Sequence, residues 1–553
     1  MKSMNGIIRY GCSHDIRYGT HNDKFPQEKV CFEDEDYLIH FDGVLLNSAA
    51  LKESLCCNSN QEILVQLYRQ YGAQLVLHAK GLYTLLLWDK KAQTALITND
   101  LLSKRPLYYH STENALFYGA SYYDLLDNLS RDGKAAAFRM DALEDMLRMG
   151  FLTQSKTYLE NVCFLNAFES LLVDLKQHRA EIITHPMKTF ATLDTEDAVI
   201  DRFDELFSDA VELQFQKNAE YGYTQYATLS GGMDSRACLL KAVELGFNQD
   251  IVCFNYAQSG SLDFSISQQI AADLGLDYLH YPMDAAVFLG RLQEAMDGNE
   301  CMQSGIGTTG ARTMANLLNT SNIGLISIGI CGGELMGDLI QRERKGEPAN
   351  KYLRYALRTV HKCKELLHPE NLPDGDFLFD LREYLNHLRA SKNFVTMFLD
   401  KCECVSPFMD EDVAMFVLQL DPVLLYNRRM YRKWMIKYLP NSYIITSSCA
   451  RIDSSLPEEL LAKLRYRVLS TRNGVSQWSM NPIQHWFECC PRHADNCTGE
   501  YLDNCRWLQQ NGCSDEILSA MEARWGNSWV QRLYVLTAQR AVKDVLSRFH
   551  SRN

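Results

Sequence analysis

The stretch YATLSGGMDSRA, residues 226–237, passes from a short apolar strand through a glycine pair into a helix beginning near Asp234. The apolar spacing changes there to the helical repeat of DSRACLLKAVELG (234–246), with the glycines as the turn between the two. The same unit recurs on either side. DIVCFNY (250–256) reads as a strand, SISQQIAADLG (265–275) as a helix and DYLHYPM (277–283) as a strand. TGARTMANLLN (309–319) is then helical and IGLISIG (323–329) again a strand. Upstream, AVIDRFDELFSDAVELQF (198–215) repeats apolar residues at three and four and leads into the strand YTQYATL (223–229). Strands alternating with helices predict an α/β domain built on a doubly wound parallel sheet. Beyond about residue 345 the pattern reads as almost wholly helical.

The first ~185 residues read instead as short strands between turns, among them GLYTLLLWD (81–89), TALITND (94–100) and RPLYYH (105–110). DYLIHFDGVLLN (36–47) reads as an apolar run broken by a turn at Asp42-Gly43. Helical spacing appears in QEILVQLYRQYG (61–72) and DALEDMLRMG (141–150). The expected division is a β-rich domain over 1–190 and an α/β domain with a helical C-terminal portion over 191–553.

Composition narrows the function classes. The 553 residues, 46% of them hydrophobic, suffice for about two to four domains with their own cores. With 56 Lys and Arg against 69 Asp and Glu, the net charge of −13 lacks the cationic footprint of a nucleic-acid or anionic-membrane binder. No apolar run approaches the ~18 residues of a membrane span, and the start MKSMNGIIRYG has no signal-peptide core. The 18 cysteines therefore read as reduced thiols of a cytosolic protein. Cys489, Cys490, His493, Cys497, Cys505 and Cys513 lack paired CxxC spacing and are expected to be small buried hydrophobes rather than zinc ligands.

In the 226–237 loop, Gly231 and Gly232 let backbone amides approach an anion at a helix N-terminus, and Ser230 and Ser235 add hydroxyls. Asp234 is placed to hold Mg²⁺ against a polyphosphate. The loop lacks the Gly-Lys-Ser/Thr of a Walker A motif. The strand–SGGxDS–helix arrangement resembles the pyrophosphate loop of ATP pyrophosphatases, which cleave ATP between the α and β phosphates. ATP and Mg²⁺ are the cofactors this implies, with Leu229, Ser230, Gly231, Gly232, Asp234, Ser235, Arg236, Phe254 and Gly329 as the nucleotide-binding set.

Further stretches resemble the asparagine synthetase family in the family's own order. KCECVSPFMDEDVAMFVLQLDPVLLYNRRMYRKWMIKYLP (401–440) is similar to its Glu, Pro-Phe-x-Asp, helix and basic segment. FDGVLLN (41–47), AKGLYTLLLWDKKAQTALITNDLLSKRPLYYH (79–110) and LFYGAS (116–121) resemble its N-terminal glutamine amidotransferase domain. The resemblance implies an Ntn-hydrolase-like β-sandwich flanked by helices, two sheets face to face, ahead of the ATP-pyrophosphatase domain.

The departures from that pattern bear on function. The family's Met-Cys-Gly-Ile, whose cysteine attacks glutamine, is here Met4-Asn5-Gly6-Ile7, and a carboxamide is no nucleophile at neutral pH. Cys12 is the nearest thiol and is not at a terminus. Asn-Gly-Glu-Ile-Tyr-Asn becomes Asp42-Gly43-Val44-Leu45-Leu46-Asn47, and no counterpart of the glutamine-binding arginine precedes Asp42, although Asp100 remains. The first domain is thus expected to lack glutaminase activity. In the second domain the family's Glu falls on Ile330 and its metal-binding Asp on Gly333, leaving Glu334 or Asp338 as the second Mg²⁺ ligand. The catalytic candidates are Glu334, Glu403 and Arg451, the last standing where the family has a lysine. Asp263 and Asp410 match further acidic positions, and Arg432, Lys433 and Lys437 form the basic segment.

The expected activity is an AMP-forming, amide-bond-forming ligase without glutaminase, closing a lactam or macrolactam as lactam synthetases and lasso-peptide cyclases do. Ammonia-dependent amidation of an amino acid or sugar acid is the alternative, and a catalytically dead binding subunit a second. The expected partner is a small-molecule or peptide substrate carrying a carboxylate and an amine, not nucleic acid or a membrane. A partner protein or homodimer is left open.

Overall fold

A computed structural model describes residues 3–11, 14–248, 250–337, 393–439, 481–526 and 528–550, with isolated positions between 457 and 468. Two antiparallel sheets form the N-terminal part. One has five strands in the order β2-β1-β8-β7-β9: β1 (Asn5–Arg9), β2 (Asp15–Arg17), β7 (Tyr108–Ser111), β8 (Ala115–Gly119) and β9 (Cys163–Phe164). The other has six in the order β11-β10-β6-β5-β4-β3: β3 (Val30–Glu33), β4 (Tyr37–Leu45), β5 (Gly81–Asp89), β6 (Thr94–Asn99), β10 (Glu169–Asp174) and β11 (Arg179–Thr184).

The period-two alternation of side chains explains the layering. Along β5, Tyr83, Leu85 and Leu87 share a core with Ile63, Leu64 and Leu67 of the helix Asn60–Tyr71. Leu86, on the opposite face, packs with Ile8, Leu116 and Tyr118 of the other sheet. The two sheets thus lie face to face with helices outside. Asp42-Gly43 is not a turn, which corrects the sequence reading: β4 runs straight through it, with Asp42 opposite Thr84 and Gly43 opposite Tyr83. Gly43 has φ +148°, and a Cβ there would sit 2.1 Å from the Leu82 carbonyl oxygen. The glycine serves close strand approach, not chain reversal.

After β11 the chain enters the helix Glu196–Glu220, capped by the Thr195 side chain on the Ala198 amide. A five-stranded parallel sheet follows in the order β14-β13-β12-β15-β16: β12 (Gln225–Thr228), β13 (Ile251–Asn255), β14 (Asp277–His280), β15 (Leu325–Ser327) and β16 (Glu403–Val405). The last strand is a second correction, since that stretch read as helical. Glu403-Cys404-Val405 is too short for periodicity to reveal, and pairing with Leu325–Ser327 makes it a strand. The chain leaves β12 for β13 on one side, while β15 pairs on the other. The carboxyl end of β12 is therefore a topological switch point, where open α/β sheets bind ligands.

The C-terminal helices Ile483–Cys489, Pro491–Gln510, Asp515–Arg524 and Trp529–His550 pack against both halves, with Trp486 against Phe288 of the α/β half. Leu533, Leu536 and Val542 of the last helix share a core with Leu125, Leu126, Leu143 and Met146 on the outer face of the sandwich. Trp486 and Phe487 are buried in this core, and Trp478 lies outside the described residues. Among the described residues no helix is long and apolar enough to cross a membrane.

Candidate active site

The 230–235 loop closes on itself. The Ser235 hydroxyl accepts from the Ser230 amide and lies 2.9 Å from the Ser230 hydroxyl, while the Gly232 amide donates to Ser230 Oγ at 3.1 Å. Gly232 is the N-cap of the helix Met233–Glu244, so the loop meets the positive end of that helix. Leu229 is buried. Its amide donates to the Phe254 carbonyl and its own carbonyl accepts from Asn255 Nδ2, which ties the loop to β13. Phe254 is a fully buried core residue, so its side chain cannot meet a nucleotide. Asp263 does not cap its helix, which Ser261 does; its carboxylate accepts from the Gly231 amide at 2.9 Å and from Asn255 Nδ2 at 2.9 Å. Burial raises the Asp263 pKa against these hydrogen bonds and the Arg236 charge.

Arg236 is wholly buried, and its guanidinium braces the loop from beneath through Nη2 to the Gly231 carbonyl, 2.8 Å. Burial lowers its pKa to about 10. Arg236 therefore acts on the loop rather than reaching past it. Gly329 is needed for contact: a Cβ would lie 2.2 Å from the Ser235 amide nitrogen.

Asp234 is partly exposed, with one oxygen accepting from the Gly333 amide at 2.7 Å and the other from the Tyr431 hydroxyl at 3.1 Å. Desolvation pushes its pKa up to about 6; Arg428 opposes the rise and Glu334 adds to it. Glu334, in the short helix Gly332–Leu335, is thus close enough to Asp234 for their charges to interact. Two carboxylates whose charges interact, beside a loop at a helix N-terminus, fit Mg²⁺, which takes one or two carboxylates plus phosphate oxygens and water. Among the described residues no group of three or more His, Cys, Asp or Glu could hold a metal. Cys331 and Arg428 flank the site with φ of +65° and +57°, strained for non-glycine residues. Sequence reasoning missed Tyr431 and Arg428, although both lie in the stretch it singled out.

Other expected residues lie elsewhere. Lys433 pairs with Glu196 at 2.6 Å, and Lys437 pairs with Asp201, so these cations hold the long helix, not the loop. Asp410 caps the helix Glu411–Leu418. Glu403 is buried on β16 and bonds Arg105 and Asn22 of the N-terminal part, away from the loop. Arg451, Asp338 and Cys12 lie outside the described residues.

In the sandwich, Asn5 is a buried residue of β1, following Met4 in the chain, with its Nδ2 on the Ser3 carbonyl at 2.6 Å. Asp42 is fully buried among Arg105 (2.7 Å), His21 (2.7 Å) and Lys29 (3.4 Å). Burial favours its neutral form, but Arg105, His21 and Lys29 outweigh that and hold the carboxyl well below the usual range. Asp100 is spent on the amides of Lys104 and Arg105, each at 3.0 Å. The C-terminal cysteines are free thiols, Cys513 buried and the others half-buried or exposed.

Comparison with known proteins follows the same two parts. Residues 25–184 match the family described as a glutamine amidotransferase domain, and residues 225–329 the family described as queuosine biosynthesis protein QueC. A putative glutamine-hydrolysing asparagine synthetase 2 of Methanocaldococcus jannaschii is 23% identical over 38% of this chain and 42% of its own. Asparagine synthetase 1 of Bacillus subtilis is 20% identical over 48% of this chain and 42% of its own. The amidase chry2 of Gibberella zeae is 23% identical over 60% of this chain and 52% of its own. The chain thus spans about half the length of the curated relatives it matches. Among solved structures, a B. subtilis glutamine phosphoribosylpyrophosphate amidotransferase aligns over 48% of this chain and 50% of its own. That alignment has 12% identity and a TM-score of 0.21, too slight to bear on the chemistry.

Proposed function

Since the chain has the two-domain layout of the asparagine synthetase family, an amidotransferase-type domain before an ATP-pyrophosphatase-type one, we propose that it is an ATP-dependent carbon–nitrogen ligase that works without hydrolysing glutamine. A substrate carboxylate attacks the α-phosphorus of ATP and pyrophosphate leaves. An amine then attacks the acyl carbon, AMP leaves, and the amine's proton passes to a base. The amine belongs to the substrate itself, so the product is a lactam or macrolactam.

The observation that carries this reading is the Ser230–Ser235 loop at the switch point of the parallel sheet, at a helix N-terminus beside Asp234. Ser230, Ser235 and the glycine amides would bind phosphate oxygens, with Arg236 and Asp263 fixing the loop's shape. Asp234 and Glu334 would hold Mg²⁺, which when bound supplies positive charge to the departing pyrophosphate. Preorganised donors of this kind act where charge develops and need no rearrangement during the step.

The absence of glutamine hydrolysis is supported by Asn5, whose carboxamide lies buried in β1, and by Asp42 and Asp100, both already engaged by protein groups. With no ammonia delivered from the sandwich, an amine on the substrate is the simplest nucleophile. One observation favours a second reading, a binding subunit without turnover: a glycine amide, that of Gly333, meets Asp234 where the family has its second metal-binding Asp.

The deciding experiment is ATP–pyrophosphate exchange with Mg²⁺, with and without small-metabolite and peptide fractions of the source cells. Exchange that depends on a fraction and is lost in Asp234→Ala is expected. No exchange from folded protein with any fraction would leave the binding-subunit reading.

A further inference from the structure

The 230–235 loop is held by a relay of side chains that ends two strands away. The Gly231 residue is gripped on both sides, its amide donating to Asp263 Oδ1 at 2.9 Å and its carbonyl accepting from Arg236 Nη2 at 2.8 Å. Asp263 is in turn fixed by Asn255, the last residue of β13. Asn255 Nδ2 donates to Asp263 Oδ2 at 2.9 Å and to the Leu229 carbonyl at 2.8 Å. Asn255 is buried, and its Oδ1 lies 3.2 Å from Nδ1 of His280, the last residue of β14.

The orientation of these groups follows from what each can donate. The Leu229 carbonyl and the Asp263 carboxylate accept only, so both must meet the Asn255 nitrogen; a flipped amide would set oxygen against oxygen. Asn255 Oδ1 is thereby turned to His280, which must carry its proton on Nδ1. Phe264, next to Asp263 on the helix Leu262–Leu274, packs on the His280 ring with centroids 4.1 Å apart. One helix therefore supplies both the carboxylate that holds Gly231 and the ring that holds His280. The carboxyl ends of three neighbouring strands, β12, β13 and β14, are laced to the loop through the single amide of Asn255.

We propose that Asn255, oriented by His280, is a positioning residue of the 230–235 loop. It acts through Asp263 and Leu229, so that the loop holds its shape before any ligand arrives and need not rearrange when one does. That this shape serves phosphate rests on the ATP reading above; that Asn255 and His280 set it does not.

The test reads the loop first without ligand. Amide hydrogen exchange in the full-length protein is followed by mass spectrometry over residues 229–233, with 225–228 and 251–253 as internal references. Asn255→Leu removes both donors at similar volume and should speed exchange in the loop about tenfold or more, with the reference strands unchanged. His280→Leu should produce part of that effect. His280→Asn, which returns a donor where Nδ1 stood, should recover most of the loss. Calorimetric binding of ATP with Mg²⁺ should weaken in the same order. Circular dichroism melts show which variants fold, and substitutions at two positions keep the test decisive if one does not. Loop exchange unchanged in the folded leucine variants, acceleration spread equally over the reference strands, no recovery in His280→Asn, or ATP bound undiminished by a loosened loop would each overturn the inference. A wild type that binds no ATP while the exchange pattern holds would instead sink the ATP reading and leave the positioning role standing.

Discussion

The position of Asp234 sets chemistry against stability, and Asp234→Asn measures the conflict. Its carboxyl moves from an ordinary 3.8 to about 6 on folding, mainly through desolvation. A raised carboxylate pKa means that the folded state binds the proton more tightly, so ionisation opposes folding. The cost is absent below about pH 4, grows between about 4 and 6 and is complete above. A rise of about two in pKa corresponds to about 3 kcal/mol at most, and the partial exposure of the group brings this nearer ~1.5 kcal/mol. Asparagine keeps the shape and cannot ionise. It also turns a donor toward either the Gly333 amide or the Tyr431 hydroxyl, a pH-independent loss of ~1 kcal/mol. The comparison of variant with wild type at pH 8, less the same comparison at pH 4.5, cancels that loss and all other titrations. Part of the cost is already present at pH 4.5, so denaturant melts at the two pH values should favour the variant by ~1 to 2 kcal/mol more at pH 8, while pyrophosphate exchange disappears. A difference below ~0.5 kcal/mol, or of opposite sign, would refute the claim that Asp234 is held ionised at a cost.

Other outcomes follow from the same contacts. Gly329→Ala drives a Cβ to 2.2 Å from the Ser235 amide and should abolish pyrophosphate exchange while other parts of the fold melt normally, checked by exchange assay and circular dichroism. Arg105→Leu takes from buried Asp42 and Glu403 the guanidinium they share and should cost roughly 3–5 kcal/mol, read by denaturant titration. Because Arg105 holds the Asp42 carboxyl below its ordinary value, that part of the cost should shrink as the pH falls below about 4. Asn5→Cys should release no glutamate from glutamine above the enzyme-free rate, since residue 5 is buried within the chain and Asp42 and Asp100 are engaged by protein groups.

Much of the fold was legible where periodicity had room to act. The helix expected over 198–215 is Glu196–Glu220, and the strands expected around 225, 251 and 277 are β12, β13 and β14. The misreadings have physical reasons. Asp42-Gly43 carries turn chemistry, but Gly43 is there because β4 and β5 approach closely, and dipeptide preference cannot distinguish the two. β16 has three residues, fewer than a period needs, and its strand character comes from β15. At the site, the loop was legible because its residues are contiguous. Tyr431 and Arg428 meet Asp234 across about two hundred residues, a distance no local pattern spans. Arg236 and Phe254 lie near the loop in sequence or register, yet face inward, and only packing decides that.

Buried ion pairs cross the boundary between the sandwich and the α/β half. Lys104 meets Glu411 at 2.8 Å, Lys80 meets Asp412 at 2.6 Å, Glu28 meets Lys217 at 3.0 Å and Arg105 meets Glu403, each joining the sandwich to the α/β half. These charges are largely buried, so removing either half would strand several of them at a desolvation cost that apolar packing alone does not carry. Arg105 also joins Asp42 to Glu403, so this buried cluster is a strut for β16, the edge strand of the sheet that bears the loop. Glu411 and Asp412 open the helix Glu411–Leu418, whose Phe416 and Val417 belong to the same core as Met233 and Ala237 of the loop's own helix. The sandwich thus supports the 230–235 loop mechanically through two routes, β16 and this helix. Asp42 and Asp100 are accordingly engaged by protein groups that hold the two halves together.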